Sequence, residues 1–114
     1  MTHQVLVTGS AGAVGKAVCK DLLARGHHVR GFDLVETPYC TDFRVGSVED
    51  VQAVRHAAAG MNTLVHLAAT VDDADFMKNI LGPNIIGVFN VLEAAREQAF
   101  RRAVLTSSVQ VING

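Results

Sequence analysis

Short apolar runs alternate along the chain with longer segments in which apolar residues recur at helical spacing. The short runs are nearly continuous in apolar residues, which is typical of strands buried on both faces of a sheet. They lie at Gln4–Thr8, His28–Asp33, Asp42–Val45, Asn62–Leu67 and Arg102–Ser107. Strands alternating with helices predict an α/β fold in which a parallel sheet is covered on both faces. Right-handed crossover connections then predict the Rossmann-type, doubly wound strand order 3-2-1-4-5.

The helices between these strands are predicted from apolar spacing and from start and stop signals. The first begins after Gly12 and stops at Gly26, with an apolar face made of Val14, Val18, Leu22 and Leu23. Ser47 is predicted to cap the second helix, which closes by Gly60. A longer helical region follows the fourth strand, with a predicted break at Gly82-Pro83. Beyond that break, apolar residues recur at helical spacing from Ile85 to Ala99.

Three glycines follow the first predicted strand in the arrangement Gly9-x-x-Gly12-x-x-Gly15. Between a strand and a helix, the first glycine permits a tight turn and the second lets a pyrophosphate approach the backbone. The third lets the helix pack closely on the strand. The first N–H groups of the helix and its dipole then favour phosphate. A flexible loop rich in small residues is the alternative reading of this spacing alone.

An acidic residue at the end of the second predicted strand favours the nucleotide-binding reading. Asp33 stands 18 residues after Gly15, close to the ~20 expected for a residue that binds the adenosine ribose. A carboxylate there can accept hydrogen bonds from both ribose hydroxyls and repels a 2′-phosphate, which favours NAD over NADP. Arg30 is placed on the opposite face of the strand by alternation, so we expect it to be solvated or helix-facing.

Composition narrows the class of protein further. The 114 residues suffice for one folded domain, and 49% of them are apolar. A net charge of -1 gives no electrostatic reason to expect nucleic acid or a membrane surface as partner. Cys19 and Cys40 form no metal-binding motif, and the first strand follows Met1 without a leader-like segment. We therefore expect reduced thiols, no metal and a cytoplasmic protein.

Several stretches together resemble the extended short-chain dehydrogenase/reductases, the NAD-dependent epimerase/dehydratase family. TGSAGAVG (Thr8–Gly15) is similar to the TGxxGxxG turn of that family, and VHLAA (Val65–Ala69) to its strand-four motif. NIIGVFNVLEAA (Asn84–Ala95) is similar to a helix carrying a buried asparagine, and AVLTSS (Ala103–Ser108) to a fifth strand that ends at the active-site serine. The NIIG stretch and the short segment between strands two and three look closest to uronate dehydrogenase-like sugar dehydrogenases.

The resemblance implies an NAD site and a catalytic hydroxyl. The residues implied in cofactor binding are Gly9, Ala11, Gly12, Val14, Gly15, Asp33, Ser47, Leu67, Ala68, Ala69, Asn84 and Ser107. Ala11 and Val14 would offer backbone N–H groups. Ser47 stands where the family often has an aspartate that contacts adenine, and its hydroxyl would make a weaker hydrogen bond than a carboxylate. Asn84 would brace the active site or, alternatively, cap its helix. Ser108 would hydrogen-bond the reacting oxygen of the substrate, unless both serines only terminate a strand.

The acid/base pair of the family is the main departure. That pair is Tyr-x-x-x-Lys, in which tyrosine moves the proton and lysine lowers the pKa of the tyrosine. The single tyrosine of this sequence is Tyr39, which precedes the third predicted strand. We therefore interpret residues 1–114 as the N-terminal, NAD-binding Rossmann part of an epimerase, dehydratase or sugar dehydrogenase, truncated after strand five and inactive by itself. A non-catalytic NAD-binding module or an incomplete fragment is the alternative.

Two expectations about partners follow from this interpretation. A full-length form would transfer hydride between nicotinamide and a sugar-type hydroxyl carbon, so its substrate would be a sugar or nucleotide sugar. The fifth strand would leave Val104 and Leu105 at an edge of the sheet. Because edge strands tend to pair with other chains, we also expect a homo-oligomer.

Overall fold

The computed structural model describes residues 3–67 and 81–105. Its strands are β1 (Gln4–Thr8), β2 (His28–Asp33), β3 (Asp42–Val45), β4 (Thr63–His66) and β5 (Arg102–Leu105). Its helices are α1 (Ala13–Ala24), α2 (Val51–Ala58) and α3 (Leu81–Glu97). The strands form one parallel sheet in the order β3-β2-β1-β4-β5, which confirms the predicted topology.

Helices cover both faces of the sheet at β1, β2 and β4, which explains why these strands are mostly buried. Alternation along β1 sends Leu6 to one face, where Val54 of α2 and Val91 of α3 belong to the same buried cluster. Val7 points to the other face and belongs to a second cluster with Cys19 of α1. Cys19 therefore packs against the sheet.

The start of α2 differs from the prediction. Asp50 is its N-cap, and the Asp50 carboxylate accepts hydrogen bonds from the N–H groups of Gln52 and Ala53, at 3.1 and 3.2 Å. The prediction that Ser47 caps this helix is wrong, because the chain makes a turn between Ser47 and Asp50 before the helix begins. An aspartate at the N-cap satisfies N–H groups that have no intrahelical acceptor.

Two further helix predictions are corrected by the structure. The break expected at Gly82-Pro83 is absent, because α3 includes both residues. The helical region expected before this break lies outside the described residues. Val14 does not lie on the buried face of α1, since it is 65% exposed while Gly15 and Cys19 are buried.

Arg30 lies almost completely buried between β2 and the end of α2. Its guanidinium donates to the Asp42 carboxylate at 2.8 Å and to the carbonyl oxygens of Ala57 and Ala59, at 2.9 and 2.7 Å. Carbonyl groups at the C-terminus of a helix lack intrahelical partners and favour a cation. The helix-facing interpretation of Arg30 is therefore confirmed, and Arg30 joins α2 to the sheet.

Asp42 is expected to make the stability of the protein depend on pH. Burial alone raises the pKa of Asp42, but the hydrogen bond and charge of Arg30, with His28 and Arg44, hold it below its usual range. A lowered pKa in the folded state means that this stabilisation is complete above the unfolded pKa of about 4 and is lost as the pH falls through the folded pKa. We therefore expect the free energy of unfolding to fall in acid. The fall between pH 7 and acid should be smaller in Asp42→Asn, which has no carboxylate to protonate at this position. Urea unfolding of both proteins across this range measures the difference, and an equal loss in both would contradict the assignment.

Candidate nucleotide-binding site

The glycine turn, residues 9–15, connects β1 to α1. Gly9 has a φ of +77°, a left-handed conformation that favours glycine. A Cβ atom at Gly9 would also lie 2.8 Å from the carbonyl oxygen of Leu67. At Gly15, where α1 passes over the turn, a Cβ atom would lie 2.7 Å from the Cα of Ser10. The fold itself therefore requires glycine at both positions.

Gly12 is different, because the packing of the described residues does not require it. Its φ is -73°, and a Cβ atom there would meet only the carbonyl oxygen of Gly9, at 3.6 Å, an ordinary contact. Gly12 is exposed and is the N-cap of α1. Among the described residues, no side chain caps this end of α1, and its first turn has no acidic residue. The absence of a side chain at Gly12 therefore leaves the first N–H groups of α1 open to an anion.

The carboxylate of Asp33 is joined to the glycine turn. Its Oδ2 accepts a hydrogen bond from the Ala11 N–H at 2.9 Å, and its Oδ1 accepts one from the Leu34 N–H at 2.6 Å. The Ala11 N–H is thus engaged, so the role of free donor implied for Ala11 is not found. Because each carboxylate oxygen keeps a second acceptor position, half-buried Asp33 can still accept hydrogen bonds from hydroxyl groups beside the turn.

Two more of the implied residues follow the carboxyl ends of β4 and β3, which lie on either side of the β1–β2 pair. Leu67 comes directly after β4, is buried, and donates its N–H to the carbonyl oxygen of Thr8 at 3.2 Å. Ser47 follows Gly46, whose N–H donates to the carbonyl oxygen of Asp33 at 2.9 Å. The structure therefore brings Leu67 and Ser47 to the same edge of the sheet as the glycine turn.

The remaining implied residues are only partly described. Val14 lies in the first turn of α1, with an exposed side chain. Asn84 lies in α3, and its side chain is outside the described part of the chain. The residues that lie wholly outside the described ranges are Ala68, Ala69, Ser107 and Ser108. Their implied contacts stay predictions.

One buried polar pair below the turn was missed by the sequence analysis. Thr8 Oγ1 and His66 Nδ1 lie 2.5 Å apart, on residues that are Cα partners in the β1–β4 ladder. Burial lowers the pKa of His66, so its imidazole is neutral near pH 7. Strand pairing would have revealed this contact, since a parallel register that aligns the two apolar runs puts Thr8 beside His66.

The structure also identifies a buried asparagine in α3. Asn90 Nδ2 donates to the carbonyl oxygen of Val48 at 2.9 Å, and Asn90 is only 8% exposed. One turn earlier, a Cβ atom on Gly87 would lie 2.5 Å from Val48 Cγ2. Gly87 and Asn90 thus hold α3 against the segment that follows Ser47, so among the described side chains of α3 it is Asn90 that supports the site.

A family model described as NAD dependent epimerase/dehydratase family matches residues 5–113. The chain belongs to this family. A curated relative in the comparison, 2-alkyl-3-oxoalkanoate reductase of Stenotrophomonas maltophilia, is 35% identical over 112 residues, which cover 95% of this chain and 34% of that protein. The chain spans about a third of the length of the first curated relatives it matches.

Solved structures give the same assignment for this epimerase/dehydratase-family chain. A short-chain dehydrogenase/reductase superfamily protein of Agrobacterium tumefaciens with bound NAD matches with a TM-score of 0.83 and 38% identity, over 97% of this chain and 34% of that one. A mutant uronate dehydrogenase of the same organism complexed with NAD matches with a TM-score of 0.79 and 31% identity, over 94% and 41%. Within residues 3–67 and 81–105, no helix is both long and apolar enough to cross a membrane.

Proposed function

We propose that the glycine turn and Asp33 bind NAD, and that the chain is the NAD-binding part of an oxidoreductase, epimerase or dehydratase. The observation that carries this proposal is the open space outside Gly12. Gly9 and Gly15 are explained by backbone strain and close packing, but Gly12 has no such explanation within the described protein. A pyrophosphate that approaches the N-terminus of α1 requires that space.

The hydrogen bonds of Asp33 support NAD rather than NADP. Its carboxylate is held beside the turn by the Ala11 N–H, with acceptor positions left for the two hydroxyls of the adenosine ribose. A 2′-phosphate at the same place would bring like charges together without a described cation to pair them. Arg30 of β2 is engaged with Asp42 and the end of α2 instead.

The other implied residues complete the proposed site. Ser47 would bind the adenine, Leu67 would flank the ribose with Ala68 and Ala69, and Val14 would offer its N–H to the pyrophosphate. Asn84 and Ser107 stay predicted contacts near the cofactor. NAD, when bound, supplies the hydride acceptor or donor.

The substrate side of the site is proposed from the relatives. Ser108 would hydrogen-bond the reacting oxygen of the substrate, and the similarity to uronate dehydrogenase supports a small, sugar-type substrate for the whole protein. Cytoplasmic localisation and a homo-oligomer paired through β5 stay predictions. Within the described residues, Val104 and Leu105 of β5 are 49% and 45% exposed.

Removal of the Asp33 charge tests the choice of cofactor. We expect calorimetric titration to show NAD binding at least about tenfold tighter than NADP, and Asp33→Asn to lose roughly tenfold in NAD affinity because a charge-assisted acceptor becomes neutral. Glu36→Gln is the matched control, since it removes the same charge from an exposed side chain of the next loop. Equal affinities for NAD and NADP, or equal losses in the two variants, would contradict the ribose assignment.

A further inference from the structure

Two free thiols face each other across the interface between α1 and the sheet. Cys19, in α1, is completely buried, and Cys40, two residues before β3, is half-buried. The two Sγ atoms lie 3.7 Å apart, with the Cys40 thiol directed at the sulfur of Cys19. This contact joins residues that are 21 positions apart in the chain.

Neighbouring contacts hold both cysteines in place. The β2–β3 loop, residues 34–41, also contacts α1 through Lys20, whose Nζ lies 5.3 Å from the ring centroid of Tyr39. On the far side of Cys40, the Thr41 N–H donates to the carbonyl oxygen of Val29 in β2 at 2.7 Å. The residues on either side of Cys40 are therefore fixed to α1 and to β2, which keeps its thiol next to Cys19.

The surroundings of Cys40 connect this pair to the glycine turn. A Cβ atom on Gly31 would lie 2.5 Å from Cys40 Sγ and 2.8 Å from Ser10 Oγ, so these two side chains occupy the space above Gly31. Ser10 is completely buried, and its hydroxyl has no hydrogen-bond partner among the described residues. The thiol pair thus lies directly behind the turn, in a closely packed region.

We propose that Cys19 and Cys40 form a reversible intramolecular disulfide that ties the β2–β3 loop to α1. Starting from an Sγ–Sγ distance of 3.7 Å, an S–S bond of about 2.05 Å requires the sulfur atoms to approach by roughly 1.7 Å, so both side chains have to rotate about their Cα–Cβ bonds. The inference concerns the thiols alone and does not rest on the proposed function. It adds a redox-sensitive modification site behind the nucleotide-binding turn.

The oxidant that we assign is a small disulfide of the glutathione class. The thiolate of Cys40, the more exposed of the two, attacks the S–S bond of the oxidant, forms a mixed disulfide and releases one small thiolate. The thiolate of Cys19 then attacks Cys40 Sγ, forms the protein disulfide and releases the second small thiolate. The two protein thiols lose two electrons and two protons, and the oxidant is reduced to two thiols.

Burial makes this reaction slow at neutral pH, and a higher pH accelerates it. Burial, with smaller contributions from Cys40, raises the pKa of Cys19 to about 12, and burial likewise raises the pKa of Cys40. Because only the thiolate attacks, its fraction and the initial rate rise about tenfold per pH unit below the Cys40 pKa. The hydrogen bonds of Cys40 with Cys19 and with the Gly31 backbone lower the Cys40 pKa in part, and the charge of Asp42 raises it.

Mass spectrometry and thermal unfolding after equilibration with oxidised glutathione test the proposal. We expect the chain to lose the mass of two hydrogen atoms, to yield a Cys19–Cys40 cross-linked peptide, and to unfold at least about 5 °C higher. Dithiothreitol should reverse all three changes. Cys19→Ser should stop at a mixed disulfide on Cys40, and Cys40→Ser should remain unmodified because Cys19 is buried.

Three results would overturn the proposal. These are an unchanged mass after full equilibration, a stable glutathione adduct on Cys40 of the unsubstituted chain, or a cross-link between two chains. A Cys19–Cys40 disulfide that formed without a rise in the unfolding temperature would overturn the claim that it fastens the loop to α1. The mass and peptide readouts require no cofactor, so they are independent of NAD binding.

Discussion

Replacement of Gly15 by alanine is expected to lower the free energy of unfolding by about 4 kcal/mol, a large share of the roughly 5–15 kcal/mol that stabilises an ordinary domain. The added Cβ atom would lie 2.7 Å from the Cα and 2.8 Å from the carbonyl carbon of Ser10. These neighbours are backbone atoms in a tight turn, so they cannot rotate away. Either α1 separates from the turn or the turn itself distorts, and both lose buried contacts.

Gly12→Ala is the matched control for this experiment. It adds the same methyl group three residues earlier, where the single contact would be an ordinary 3.6 Å. We expect it to cost less than about 1 kcal/mol, because alanine is only a poorer N-cap than glycine. Urea unfolding followed by circular dichroism measures both variants. Equal losses would show that α1 does not pack on the turn as described.

Replacement of Arg30 by methionine is expected to cost about 3 kcal/mol or more. Methionine fills much of the same volume, but it leaves the carbonyl oxygens of Ala57 and Ala59 without their buried donor and Asp42 without its closest cation. The loss in the free energy of unfolding therefore comes from buried polar groups without partners rather than from a cavity.

Arg44→Met separates this effect from a general loss of positive charge. Arg44 also faces Asp42, at 3.7 Å, but it is exposed and donates to no carbonyl of α2 among the described contacts. An exposed pair of this kind contributes less than about 1 kcal/mol. If Arg30→Met and Arg44→Met gave similar urea midpoints, the proposed link between α2 and the sheet would be wrong.

Much of this fold could be predicted from local sequence. β1, β2 and β3 have the predicted bounds. The runs of β1 and β2 are mostly buried, and the short β3 is followed directly by Gly46. The strand order followed from the right-handedness of crossover connections. This rule holds for parallel strands in general and does not depend on particular residues. The turn and Asp33 were recognisable because both lie in one strand–helix–strand unit. Their separation can therefore be counted in residues along the sequence.

Contacts between distant segments could not be predicted in the same way. Ser47 and Asp50 are both good N-caps, and the turn that decides between them depends on where β3 ends. The hydrogen bond from Ala11 to Asp33 joins residues 22 positions apart, and no periodic pattern of apolar residues predicts it. Asn90 is likewise buried by contact with Val48, which lies 42 positions earlier in the chain.

The central claim is that the space outside Gly12 admits a pyrophosphate, and titration of Gly12→Ala with NAD tests it most directly. The variant should keep the unfolding behaviour of the unsubstituted protein within about 1 kcal/mol and still bind NAD at least about tenfold more weakly, since its methyl group occupies the path to the N–H groups of α1. Arg25→Ala, at the opposite end of α1, should bind NAD with unchanged affinity. If Gly12→Ala bound NAD as tightly as Arg25→Ala does, the turn would not be the pyrophosphate site.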